Sequence, residues 1–146
     1  MAATWVFLAL ALAALAVALY ERLRDGRLGA DASDAELVDW LRLRLLFLHP
    51  AVREIPVDVG RCAFCQNRAR ITVRLRDPRG AVYPREDLLY VYVHELAHVL
   101  AEPEDEEHGP AFERAFDALR RRAEAAGLFP AGYVVSPSYT SGCTDD

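Results

Sequence analysis

Lysine is absent from this chain: all 17 basic residues are arginine. A catalytic ammonium or a Schiff-base lysine is thereby excluded. Cysteine is scarce and odd in number, with Cys62, Cys65 and Cys143. Three thiols do not suit a full disulfide framework, and they cannot build a four-cysteine zinc site. The single asparagine, Asn67, lies in Asn-Arg-Ala, so there is no N-glycosylation acceptor. An excess of basic charge is also missing, because 22 acids against 17 arginines give a formal charge of −5. That balance argues against nucleic acid as a partner. A length of 146 residues holds one domain, or one domain with an appendage.

Apolar residues are not scarce, but they are unevenly spread. Residues 1–20 are apolar except for Thr4. Ala2 to Tyr20 carries no charged side chain. As a helix it would reach about 28 Å, enough for a bilayer core. The expectation is a transmembrane anchor over 1–20. A cleaved signal peptide is the rival, but the run lacks a basic start and its Ala-x-Ala patterns lie inside it. Arg22, Arg24 and Arg27 follow the span. The positive-inside rule then puts the C-terminal domain of a single-pass membrane protein on the cytoplasmic side. Residues 21–32 read as a polar linker, and 33–146 as the folded domain. With the first segment set aside, roughly 46% of the chain is apolar, ordinary for one soluble core.

Within that domain, Ser33-Asp34-Ala35-Glu36 reads as a capping box. The helix it opens should run to about Phe47, with Leu37, Trp40, Leu41, Leu45 and Leu48 inward, and end at Pro50. Residues 51–69 read as irregular, with a short extended piece at Ile55-Pro56-Val57. Arg70 to Arg76 alternates, predicting a half-buried strand with Ile71, Val73 and Leu75 inward and Thr72 and Arg74 outward. Asp77-Pro78-Arg79-Gly80 is a turn, and Ala81 to Tyr83 returns as a second strand. A helix begins at Pro84 to Asp87 and ends near Ala101. Glu102 to His108 is a loop. Gly109-Pro110 opens another helix, which Gly127 stops. The tail 128–146 is expected to lack regular structure. The pattern predicts an α+β domain, a hairpin or small sheet packed on two helices.

His94-Glu95-Leu96-Ala97-His98 carries the strongest chemical signal. On a helix, positions i and i+4 share a face, so His94 and His98 can hold one zinc ion. Glu95 sits beside that face, where a general base would take a proton from zinc-activated water. A catalytic zinc needs a third protein ligand. His108, ten residues after His98 at the mouth of the next helix, is the natural candidate. Carboxylates from Glu102, Glu104, Asp105, Glu106, Glu107 or Glu113 are the alternatives. The acids of this loop otherwise read as a solvated turn, whose field would help hold zinc or repel acidic substrates. The metzincin spacing is excluded, since the position six after His98 is Glu104 with no glycine between.

The sequence His94-Glu95-Leu96-Ala97-His98, a short loop, then His108-Gly109-Pro110-Ala111-Phe112 resembles the signature of SprT-like and WLM-type zinc metallopeptidases. The resemblance covers about residues 70–120. It implies a compact zincin-like fold, Zn2+ bound by His94, His98 and His108, and Glu95 as the catalytic residue. It implies peptide-bond hydrolysis, with a protein or peptide substrate lying extended along an edge strand. The membrane span and the lack of an appended DNA-binding region depart from the pattern, so a DNA-linked role is not expected. The alternative function is a non-catalytic, zinc-stabilised, membrane-tethered interaction module, which needs the histidines but not Glu95. A third class is a small membrane protein whose histidines bind no metal.

Other residues have weaker claims. His49 reads as a helix-end cation or a satisfied core residue. Cys62 and Cys65 read as structural thiols, a reversible disulfide or metal ligands, in that order. Eight arginines between 53 and 85 read as a solvent face, or as a strip for substrate or anionic lipid. Tyr133 and Tyr139 are candidate oxyanion donors or, more simply, packing residues.

Overall fold

The computed structural model describes residues 11–17, 31–104 and 107–141. The chain divides into two compact units, Met1–Ser33 and Asp34–Asp146. Of the expected membrane anchor, residues 11–17 are helical and exposed, while 1–10 and 18–20 lie outside the described residues. Among the described residues, no helix is long and apolar enough to cross a membrane. The linker segment 21–30 also lies outside them.

The second unit is α+β. Helix α1 spans Asp34–Leu45, with Asp34 and Glu36 in its first turn and Arg42 and Arg44 in its last. Those charges complement the helix dipole. Leu37, Trp40, Leu41 and Leu45 are buried as their spacing predicts. The helix stops two residues short of Phe47, in a turn closed by Leu48 N–H on the Leu45 carbonyl. Two carbonyls left over at this end find a partner on another helix. Arg122 donates to Phe47 O at 2.8 Å and to Leu48 O at 2.6 Å.

Residues 51–69 are not irregular, contrary to expectation. They contain a short helix α2 (Ala51–Glu54) and strands β1 (Val57–Val59) and β2 (Phe64–Gln66). Strand β3 is Arg70–Val73, shorter than the predicted 70–76. It is the centre of a three-stranded sheet in the order β1-β3-β2. β1 runs parallel to it, with Val59 opposite Val73, and β2 antiparallel, with Cys65 opposite Ile71. The chain leaves β1 through Gly60, where a Cβ would lie 2.7 Å from Thr72 Cγ2. That approach requires glycine.

The expected pairing of Arg70–Arg76 with 81–83 shrinks to one bridge, Arg76 with Val82. The turn between them is built as predicted. Asp77 Oδ1 accepts N–H groups from Arg79 and Ala81, and Gly80 has φ +88°. The predicted solvent face of the strand is corrected more sharply. Thr72 and Arg74 are buried alongside Ile71, Val73 and Leu75. The cause is cover on both faces. Arg74 donates to Tyr139 O at 3.1 Å and lies over the Tyr83 ring, while Tyr139 OH donates to Arg74 O at 3.0 Å. The proposed basic strip is interrupted as well: Arg70 pairs with Asp58 and Arg76 with Asp34.

Helix α3 is Arg85–Leu100 and helix α4 is Pro110–Ala125, both close to their predicted bounds. Pro110 fills the first turn of α4, and Gly127 at φ +73° follows its end. α3 is the central element and packs against α4, β3, β2 and α1. Its Tyr92, Val93 and Leu96 are fully buried, as are Leu41, Leu45, Ile71 and Leu75. The tail is not without regular structure, because Pro137–Thr140 forms helix α5. Asp87 of α3, fully buried, holds this segment. It accepts hydrogen bonds from Tyr133 OH at 2.8 Å, Ser136 N–H at 3.0 Å and the Ser136 hydroxyl.

Candidate metal centre

Helix α3 carries His94, Glu95 and His98 on its second half. Its buried face is mostly apolar, with Leu88, Leu89, Tyr92, Val93 and Leu96, and His94 and His98 meet Phe112 of α4. The loop from Ala101 to Gly109 then returns His108 to the same place. Glu104 holds that loop: its carboxylate accepts the Ala111 N–H at 2.8 Å, satisfying an orphan donor at the start of α4.

Three imidazoles converge. His108 Nε2 lies 3.1 Å from His98 Nε2 and 3.2 Å from His94 Nε2. Among the described residues, these three form the group of histidine, cysteine and acidic side chains that could hold a metal ion. In a tetrahedral site with metal–nitrogen bonds near 2.0–2.1 Å, neighbouring ligand nitrogens stand about 3.3–3.4 Å apart. The observed spacings are within a few tenths of an ångström of that, and each ring presents the same nitrogen. The electrostatics agree. Burial lowers the His94 pKa to about 4, assisted by the nearby His98 and His108. Burial, and then His108, lowers that of His98 as well. Both shifts favour the neutral ring, the form whose lone pair a cation needs.

Phe112 of α4 is the platform for this cluster. Its ring stacks on His98 with centroids 4.3 Å apart and meets His94 and His108 edge-on at 4.9 and 4.7 Å. Phe116 supports His94 from the next turn, at 5.2 Å. The sequence places Phe112 and Phe116 on the inner face of α4, but their shared contact with the ligand rings is not readable from spacing.

Glu95 is buried, and burial raises its carboxyl pKa to about 7, with the Glu107 charge adding to the effect. It thus stands near the middle of the range where a group both takes and gives a proton at neutral pH. Among the described residues, none of the carboxylates considered as alternative ligands joins the three-histidine group. Glu104 caps α4, while Glu102, Glu107 and Glu113 are exposed, and Asp105 and Glu106 lie outside the described residues. His49 is not near the cluster; its Nδ1 accepts the Ala51 N–H at 3.1 Å and starts α2.

Cys62 and Cys65 are half-buried, and Cys143 lies outside the described residues. The Cys65 thiol is pushed up by burial and then by Glu95, which places it close to the catalytic candidate. The tail tyrosines are engaged elsewhere. Tyr133 binds Asp87, seven residues before His94, and Tyr139 binds Arg74. Neither hydroxyl faces the three histidines.

No family model, no curated protein and no solved structure matches the chain.

Proposed function

We propose that this chain is a zinc-dependent peptidase of the SprT-like and WLM type, tethered to a membrane by its first segment. The observation that carries the reading is the convergence of three imidazoles, with His108 Nε2 at 3.1 Å from that of His98 and 3.2 Å from that of His94 and all three ligand atoms within 4.8 Å, beside the buried Glu95. The donor set fits zinc: three imidazoles with no carboxylate among them would serve as its three protein ligands. When bound there, zinc supplies a Lewis acid for the scissile carbonyl and lowers the pKa of water.

The rest of the chemistry belongs to the chain's own residues. Glu95 accepts the proton of the attacking water on its carboxylate and returns it to the leaving amine. His94, His98 and His108 hold the cation, and Phe112 keeps their rings oriented and excludes water from one side. Strand β2 is an edge of the sheet and packs against α3. Its free edge offers an extended peptide backbone hydrogen bonds beside Glu95.

Glu95→Gln tests the catalytic step. The variant is expected to keep its zinc and to cleave an unfolded casein at least about a hundredfold more slowly. Equal cleavage by the two proteins at equal zinc content would contradict the reading.

A further inference from the structure

A tight turn joins the antiparallel strands β2 and β3, closed by the Ala69 N–H on the Gln66 carbonyl at 3.1 Å. Asn67 and Arg68 both lie in the left-handed region, at φ +50° and +58°. Asparagine enters that region at modest cost, but a long side chain such as arginine does so less readily. Positive φ at both central positions is what a two-residue hairpin turn requires, and here it carries Arg68. Arg68 lines a cavity of about 240 Å³ together with Cys65, His98, Glu102 and Phe112. The same cavity therefore touches a metal-ligand candidate on one side and this arginine on the other. The Arg68 backbone N–H hydrogen-bonds the Cys65 thiol and its charge is felt at both Cys65 and His98. Among the described residues, no hydrogen bond or ion pair engages its guanidinium. The other arginines around the sheet differ: Arg70 and Arg76 are held by Asp58 and Asp34, and Arg74 by Tyr139.

We propose that Arg68 selects the substrate, its guanidinium binding a substrate carboxylate in the cavity beside His98. This rests on the peptidase reading above. A planar guanidinium with adjacent donors matches a carboxylate in a bidentate way. Two sources supply that group: an acidic side chain close to the cleaved bond, or the free C-terminus of a short peptide. Three glutamates border the same cavity and oppose such a ligand. Glu104 is committed to the Ala111 N–H, and Glu102 and Glu107 are exposed to water, which screens them. Arg68 is half-buried, so its pairing is the less screened one.

The test uses the full chain, loaded with zinc chloride, and peptides that differ at one point. One pair exchanges Gln for Glu next to the cleaved bond. A second pair exchanges an amidated for a free C-terminus. The preferred member of one pair is expected to show a kcat/KM about tenfold or more above its neutral twin, as charge-assisted hydrogen bonds provide. The pair that responds identifies the source. Arg68→Gly, which suits the positive φ and so keeps the turn, is expected to bring that ratio close to one. Arg68→Lys is expected to retain part of it. Binding of the same peptides to the metal-free chain, read by fluorescence anisotropy, separates the two layers of the argument. An Arg68-dependent preference in binding without any cleavage would sink the peptidase reading and leave the carboxylate site standing. Cleavage with no preference, a preference for basic peptides, a preference that survives in Arg68→Gly, or no binding of any peptide would overturn the proposal.

Discussion

The rings of His98 and Phe112 stack 4.3 Å apart at 30°, joining the last turn of α3 to the first turn of α4. This contact links the core of the domain to the metal-ligand candidates. A ligand ring that is packed against a neighbour keeps its direction when the site is empty, so less order has to be gained on metal binding. The fold therefore prepares the cluster through α4 as much as through the loop that brings His108 back.

Phe112→Ala should damage stability and metal affinity together. Removing a buried phenylalanine costs about 3–5 kcal/mol. It also frees three imidazoles from their platform. Phe112→Leu should fold far better but bind zinc about tenfold or more weakly, judged by analogy with the loss of groups that orient metal ligands. Competition with a chromophoric chelator checks this, and unchanged zinc affinity in Phe112→Leu would show that stacking does not orient the ligands.

Glu104 should matter for a different reason. It caps α4 rather than touching the metal cluster, so Glu104→Ala should cost about 1 kcal/mol of stability. The loop that carries His108 should loosen as well. The expected readouts are a lower midpoint in urea and faster loss of zinc to a chelator. Glu102→Ala, an exposed neighbour without that bond, should show neither.

Asp87 ties the tail to α3 through Tyr133 and Ser136. Asp87→Ala leaves the half-buried donors of Tyr133 and Ser136 without their acceptor, at a cost of about 1 kcal/mol or more in total. Limited proteolysis should then cut the segment 130–141 early, while wild type resists. Because the tail lies away from the histidines, zinc content per folded chain should not change.

The buried Glu95 makes a pH-dependent claim about the metal-free protein. Its carboxyl has a pKa of about 7 in the folded chain against an ordinary 4.5. A raised carboxyl pKa means that folding favours the neutral form. The stability it contributes is complete below pH 4.5 and is lost as pH rises through 7. Glutamine stays neutral throughout. Metal-free Glu95→Gln should match wild type near pH 4 and exceed it at pH 8, by up to about 3 kcal/mol. Urea unfolding at the two pH values measures this. A variant equally stable to wild type at pH 8 would mean that the charged Glu95 is solvated after all.

How much of this was legible follows from the length of each signal. Helices α3 and α4 are long, periodic and bounded by Pro84, Pro110 and Gly127, and their bounds were predicted closely. Strands β1 and β2 have three residues each, too few for alternation to register, so they read as loop. Thr72 and Arg74 read as solvent-facing because alternation reports polarity, not whether a second layer covers the strand. Over Arg74 that layer comes from Tyr83 and Tyr139, the latter on a helix hidden in a Pro- and Ser-rich tail. The three histidines were readable because i, i+4 spacing on a helix is a geometric statement. The platform under them was not, since the contact of Phe112 with His98 depends on how α3 and α4 cross. Arg68 was invisible for a related reason: nothing in Gln66-Asn67-Arg68-Ala69 announces two residues in the left-handed region.

Metal content decides the central claim, that His94, His98 and His108 form one metal centre. Full-length chain supplied with zinc, then freed of loose metal by gel filtration, is measured by elemental analysis beside His108→Ala. The account predicts about one zinc per wild-type chain, with the variant losing most of it once a weak chelator is present. Equal zinc in both proteins, or none in a folded wild-type sample, would contradict it.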